Sequence, residues 1–155
     1  MTTTHKPFRL ETVLELAKKD TEKATQEVGR LMNTRELAAQ KLAMLSDYRN
    51  NYRQQMQTNA EGGIDAARLH NYAAFIDRLG SAVDHQRGTI SALEAQLQRS
   101  RDNWLEKQRR EQSFDILRQR HVEEQRQDQE RRAQRENDEH AAKLIRMRAA
   151  QAGRN

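Results

Sequence analysis

From Leu10 to Met56 an apolar residue recurs at alternating spacings of four and three: Leu10, Leu14, Ala17, Ala24, Val28, Leu31, Ala38, Leu42, Leu45, Tyr52 and Met56. Thr21, Arg35 and Arg49 occupy the positions where this repeat turns polar. After Gly62-Gly63 the pattern resumes as Leu69, Tyr72, Ile76, Leu79, Val83, Gln86, Ile90, Leu93, Leu97, Ser100 and Trp104, and then fades. A repeat averaging about 3.5 residues keeps one narrow stripe facing a partner helix and imposes a left-handed supercoil. The two runs predict two long helices, and the glycine pair between them marks where the chain reverses.

Pro7 suits a first helical turn, where its missing N–H costs nothing. Helix one is expected from about residue 8 to 57, a turn over 58–64, helix two from about 65 to 150, and a short tail over 151–155, all in a single hairpin. At ~1.5 Å per residue, helix one would make a rod of about 75 Å. Within the turn, Asn59 favours chain reversal and the glycines permit positive φ. Asp65 is placed to cap helix two through its carboxylate. Gly80 and Gly88 lie off the stripe, each costing about 1 kcal/mol against Ala. The fold class is therefore all-α: a long antiparallel two-helix coiled-coil hairpin with a C-terminal helical extension.

Pairing about the glycines sets Met56 against Leu69, Leu45 against Gly80, and Leu31 near Leu93 and Leu97. Trp104 falls opposite Thr21 and Ala24, small residues that leave room for an indole, and Leu10 falls opposite Phe114 and Ile116. A parallel homodimer would instead place Trp104 on Trp104. Helix one runs out of partner near residue 117. From His121 to His140 the only apolar residues are Val122 and Ala133. A helix polar all round is bridging, held by i,i+4 pairs, or not stably folded. After Glu139 no acid occurs, while Lys143, Arg146, Arg148 and Arg154 alternate with Leu144, Ile145 and Met147. That segment reads either as a basic amphipathic docking helix or as a frayed terminus.

Composition supports this reading. Hydrophobic residues are 35% of the chain and charged residues 33%, with one proline, so little can be buried yet nothing interrupts helices. The absence of Cys rules out disulfides and thiolate metal sites. The stretch Met1 to Pro7 has no apolar core and is not expected to be a signal peptide. The longest apolar run, Tyr72 to Ile76, is far below the ~20 residues of a membrane span, so a soluble protein is expected. The formal net charge is +5, but the basic residues are interleaved with acids, as in Glu106-Lys107-Gln108-Arg109-Arg110-Glu111. Interleaving favours solvated helix faces over a phosphate-binding stripe, so no nucleic-acid partner is expected.

Catalysis needs groups held in a shaped, water-poor cavity, which a two-helix hairpin does not provide. His5, His70, His85, His121 and His140 never stand four apart, so no helical zinc pair is formed. Glu136, Glu139 and His140 resemble a ligand cluster only loosely, and Glu61-Gly62-Gly63-Ile64 lacks the lysine of a phosphate loop. No catalytic, metal or cofactor site is expected. Aromatic placement is more informative: Tyr48, Tyr52, Tyr72 and Phe75 all lie near the turn. Tyr52 and Tyr72 stand on the stripe, where they can serve as wide core residues capped by their hydroxyls. Tyr48 and Phe75 flank it and should be partly exposed, with Met44 and Ala82 extending the patch. Exposed aromatics with Met are typical of binding hot spots. Arg35 and Arg49 are expected to snorkel from the stripe.

The segments Phe8-Arg9-Leu10-Glu11-Thr12-Val13-Leu14, Leu42 to Tyr48 with Tyr52, Gly63-Ile64, Leu69 to Ile76 with Leu79, and Trp104 with Lys107 resemble the flagellar export protein FliJ family. The resemblance spans nearly the whole chain. Its specificity comes from the Tyr48/Tyr52 and Tyr72/Phe75/Ile76 motifs around a loop of matching length. The resemblance implies a non-enzymatic antiparallel coiled coil, similar to the shaft of rotary ATP synthases, in the flagellar type III secretion apparatus. Its termini would enter the pore of the hexameric export ATPase FliI, and its hairpin end would engage the export-gate membrane protein FlhA. Escort chaperones for late flagellar substrates would be further partners. It implies a cytoplasmic location, peripheral at the inner membrane of the flagellar base. The family's gate-binding surface maps to Leu45, Tyr48, Tyr52, Phe75, Leu79 and Ala82; the histidine of that patch is displaced here to His85, followed by Gln86. Phe8, Arg9, Arg109, Arg110 and Phe114 crowd the other end and are the candidate ATPase contacts. The alternative is a generic coiled-coil adaptor or chaperone with no ATPase partner.

Overall fold

The computed structural model describes residues 7–154. His5, the rest of the stretch before Pro7, and Asn155 lie outside the described residues. The fold is an all-α hairpin of two helices packed against each other, with no strand among the described residues. α1 runs Glu11–Glu61 over 51 residues, and α2 runs Ala66–Ala152 over 87 residues. Contacts divide the chain into two compact units: residues 19–107, hereafter the tip unit, and the described residues of 1–18 with 108–155, hereafter the terminal unit.

In the tip unit the seam follows the heptads. Ala24, Leu31 and Ala38 of α1 are buried, as are Ile76, Val83 and Leu97 of α2. Each set recurs at seven residues or its multiple, which keeps every member on the face turned to the partner helix. Polar ties cross this seam along its length. The Trp104 indole donates from Nε1 to Thr25 Oγ1 at 2.9 Å, and that hydroxyl donates to the Thr21 carbonyl at 2.9 Å. Gln86, buried, donates from Nε2 to the Ala38 carbonyl at 2.9 Å. Arg35 reaches Glu94 with Nη2 and Nε at 2.9 and 3.2 Å. Arg35 thus leaves the seam as its long stem allows, and ends in a cross-helix ion pair.

The helix boundaries differ from those that the sequence suggests. α1 does not stop near residue 57 but continues through Thr58 and Asn59 to Glu61. It ends in a Schellman motif: Ile64 N–H donates to the Asn59 carbonyl at 3.0 Å, and Gly63 N–H to the Ala60 carbonyl at 3.4 Å. Gly63 carries the left-handed conformation that this motif demands, with φ +88°. The chain reversal is therefore centred later than the glycine pair, and the facing residues shift with it. Gly80 faces the Arg49 guanidinium rather than Leu45, with Nη1 4.0 Å from where a Cβ would lie. Asp65 caps α2 as expected, its Oδ1 accepting from Arg68 N–H at 2.8 Å.

In the terminal unit, Phe8 to Leu10 form a turn, with the Phe8 carbonyl accepting from Glu11 N–H at 3.1 Å, so α1 starts at Glu11 rather than near residue 8. Leu14 and Ala17 are buried, and Arg118 of α2 lies 3.9 Å from Glu11 and 3.1 Å from Asp115. Every residue from 126 to 141 is exposed, yet the segment is helical throughout. Arg126 pairs with Glu123 and Glu130, and Arg131 with Asp128 at 3.7 Å. The segment is thus a solvated helix with local ion pairs along its first turns.

Candidate functional site

The chain reversal gathers aromatic side chains from both helices of the tip unit. Tyr52 of α1 packs against Phe75 of α2 with ring centroids 4.5 Å apart and planes at 60°, and against Tyr72 at 6.2 Å and 55°. Both are tilted arrangements, which bring ring edges toward ring faces. Asn59 Nδ2 donates to the Tyr72 hydroxyl at 2.9 Å, so the extra helical turn of α1 locks the ring that the seam half-buries. Tyr48 is 51% exposed and Phe75 38%, with Met44 at 54%. Leu45, Tyr52, Leu79 and Ala82 are half-buried beside them. All six candidate gate contacts thus belong to the tip unit, with Tyr48 and Phe75 presenting the most open aromatic surface. His85 is exposed, whereas Gln86 is buried and committed to Ala38.

Beneath the reversal lies a cleft of about 580 Å³, lined by Tyr52, Thr58, Asn59, Gly62, Gly63, Ile64, Arg68, Asn71, Tyr72 and Phe75. Sequence reasoning found its aromatic wall but not the cleft. The hollow exists because α1 continues to Glu61 and the Schellman turn then folds the glycine backbone over Tyr52 and Tyr72.

In the terminal unit, Phe8 leaves the other candidate ATPase contacts and tilts against His121, at 5.6 Å and 45°. Arg110 sits over the Phe114 ring at 5.8 Å, a cation–π contact within one helix. Arg9 and Arg109 are exposed. The structure therefore brings Arg110 and Phe114 together and pairs Phe8 elsewhere. Phe8, Glu11, Arg118, His121 and Glu123 are among the residues lining a second hollow, of about 520 Å³, that the sequence did not indicate. The Arg126 hydrogen bond holds the Glu123 carboxyl below its ordinary range, as Arg30 does for Glu27. Among the described residues no group of His, Asp or Glu is arranged to hold a metal ion, and no helix is long and apolar enough to cross a membrane.

These features define an all-α helical hairpin with aromatic side chains gathered near its chain reversal. The sequence profile of the family described as "Flagellar FliJ protein" matches residues 5–150. A flagellar FliJ protein of Salmonella typhi is 32% identical over 108 residues, covering 70% of this chain and 74% of its own. One of Escherichia coli strain K12 is 31% identical over 111 residues, covering 72% and 76%. Among solved structures, a putative YscO homolog from Chlamydia trachomatis superposes with a TM-score of 0.56 at 18% identity, covering 92% of this chain and 97% of that one. That likeness concerns the fold. The chain belongs to the flagellar FliJ protein family, and that membership gives it a role in flagellar protein export.

Proposed function

We propose that the chain is a non-enzymatic stalk of the flagellar type III export apparatus, docking its tip unit on the export-gate protein FlhA and its terminal unit on the hexameric ATPase FliI. The observation that carries this reading is the exposed aromatic pair Tyr48 and Phe75, supported from beneath by Tyr52. Val83, Leu97 and the Gln86–Ala38 hydrogen bond commit the seam to the partner helix, so the surface left for recognition is the part of the tip that the heptads do not consume. Rigid aromatics lose little conformational freedom on docking, which suits a contact made and released repeatedly.

In the terminal unit, Arg9 and Arg109 offer charge-assisted contacts to carboxylates of the ATPase pore, and the Arg110–Phe114 pair adds an apolar face. The stalk works in the cytoplasm, held peripherally at the inner membrane through these proteins, and assists the cycling of export chaperones. The test is sedimentation of the purified chain with FliI and the cytoplasmic region of FlhA. A ternary complex is expected, and Arg109→Glu with Arg110→Glu should remove the ATPase alone while the FlhA contact persists. A chain that binds FlhA but never the ATPase would be a generic adaptor, and the stalk reading would fall.

A further inference from the structure

The cleft under the chain reversal has a composition that points to one kind of occupant. Its walls are the rings of Tyr52, Tyr72 and Phe75, and Arg68 is the one charged residue among those lining it. The guanidinium of Arg68 pairs with no carboxylate among the described residues; only its backbone N–H is engaged, by Asp65. Of the acids near the turn in sequence, Asp65 is committed to that cap and Glu61 closes α1 outside the cleft lining. Asp77 stands two residues from Phe75 and so on the other side of α2. Arg68 stands seven residues before Phe75 and shares its face. The Tyr72 hydroxyl accepts from Asn59, which leaves its own proton to donate. The hollow is open to solvent, and its volume of about 580 Å³ leaves room for a short peptide segment.

We propose that this cleft receives a carboxylate flanked by an apolar side chain, presented by an extended segment of the protein that docks on the tip. The carboxylate pairs with the Arg68 guanidinium and takes the Tyr72 hydroxyl proton, while the apolar side chain lies on Tyr52 and Phe75. The inference rests on the tip reading above and adds its chemistry: an acidic-apolar peptide. Arg is suited to this because its planar fork meets a carboxylate with two parallel N–H donors.

Arg68→Glu is an informative variant because it does not threaten the fold. Position 68 is the third residue of α2, where a carboxylate complements the helix N-terminus. Binding of the full-length chain to the purified cytoplasmic region of FlhA is measured at low and high salt. Arg68→Glu is expected to weaken it about tenfold or more, and Arg68→Lys, which keeps the charge but not the fork, to fall between. Wild-type binding that Arg68→Glu leaves unchanged overturns the proposal while the tip reading stands. A second arm titrates the isotope-labelled chain with a synthetic peptide alternating Asp and Trp, and with its Asn-for-Asp counterpart, reading the amides of Gly62, Gly63 and Asn71. Shifts with the acidic peptide alone support the cleft chemistry even if FlhA itself fails to bind and the tip reading falls. Equal shifts with both peptides, or none with either, overturn it.

Discussion

Residues 19–107 and the stretch of α2 beyond His121 are both helical, yet different forces hold them so. In the tip unit Val83 is fully buried, and Leu31 and Leu97 are nearly so, and Gln86 and Trp104 find hydrogen-bond partners across the seam in Ala38 and Thr25. Beyond His121 no residue is buried, and the ion pairs are local ones a turn apart, Arg126 with Glu123 and Glu130. Burial is cooperative and specific to register, whereas exposed i,i+3 and i,i+4 pairs are worth only tenths of a kcal/mol and are screened by salt. The tip unit therefore holds its aromatic side chains on a packed seam, whereas the stretch beyond His121 has no buried contact to fix it.

The sharpest way to break the contrast is Val83→Asp. Burying an unpaired carboxylate in the seam should cost roughly 3 kcal/mol or more. Thermal unfolding followed by circular dichroism should show a large drop in the transition midpoint, while amides of 126–141 exchange as in the wild type. An unchanged midpoint would mean that the seam does not hold the tip unit.

The smallest effect belongs to Arg126→Ala. It should speed amide exchange locally around Glu123 and Glu130 and leave residues 19–107 untouched. Because the Arg126 hydrogen bond lowers the Glu123 carboxyl, its contribution is present above the ordinary carboxylate range and is lost as pH falls through the lowered value. Wild type and variant should differ near neutral pH and converge in acid. A difference that persists in acid would assign the helix to something other than this pair.

Much of the architecture was legible in the residues. The heptads marked Leu31, Val83 and Leu97 as seam, and the sparing of Tyr48 and Phe75 from the stripe indicated their exposure. Asp65 announced its cap because an N-cap depends on local chemistry alone. Trp104 found the small-residue region foreseen for it, although its partner is Thr25 rather than Thr21 or Ala24 directly. What escaped was everything that depends on register to a single residue. The Thr58 to Glu61 segment carries turn-forming types, but the Schellman bonds and the Asn59–Tyr72 hydrogen bond keep it helical. That one extra turn shifted the facing residues, setting Arg49 rather than Leu45 against Gly80. It also places Thr58 and Asn59 at the cleft, beside the glycine backbone of the turn, which the heptad pattern does not encode. The Gln86–Ala38 and Arg35–Glu94 ties were likewise invisible, since side chains lean along their helices and meet partners that spacing alone does not specify.

The central claim is that recognition resides in the exposed tip aromatics and is separable from the seam. Its most direct measurement is the affinity of the Tyr48→Ala, Phe75→Ala double variant for the cytoplasmic region of FlhA, with helicity recorded on the same samples. Both side chains are substantially exposed, so helicity should be retained. Loss of two central aromatic contacts should weaken binding by about 2–4 kcal/mol, enough to abolish detectable complex at micromolar concentrations. Wild-type affinity in a fully helical double variant would contradict the account.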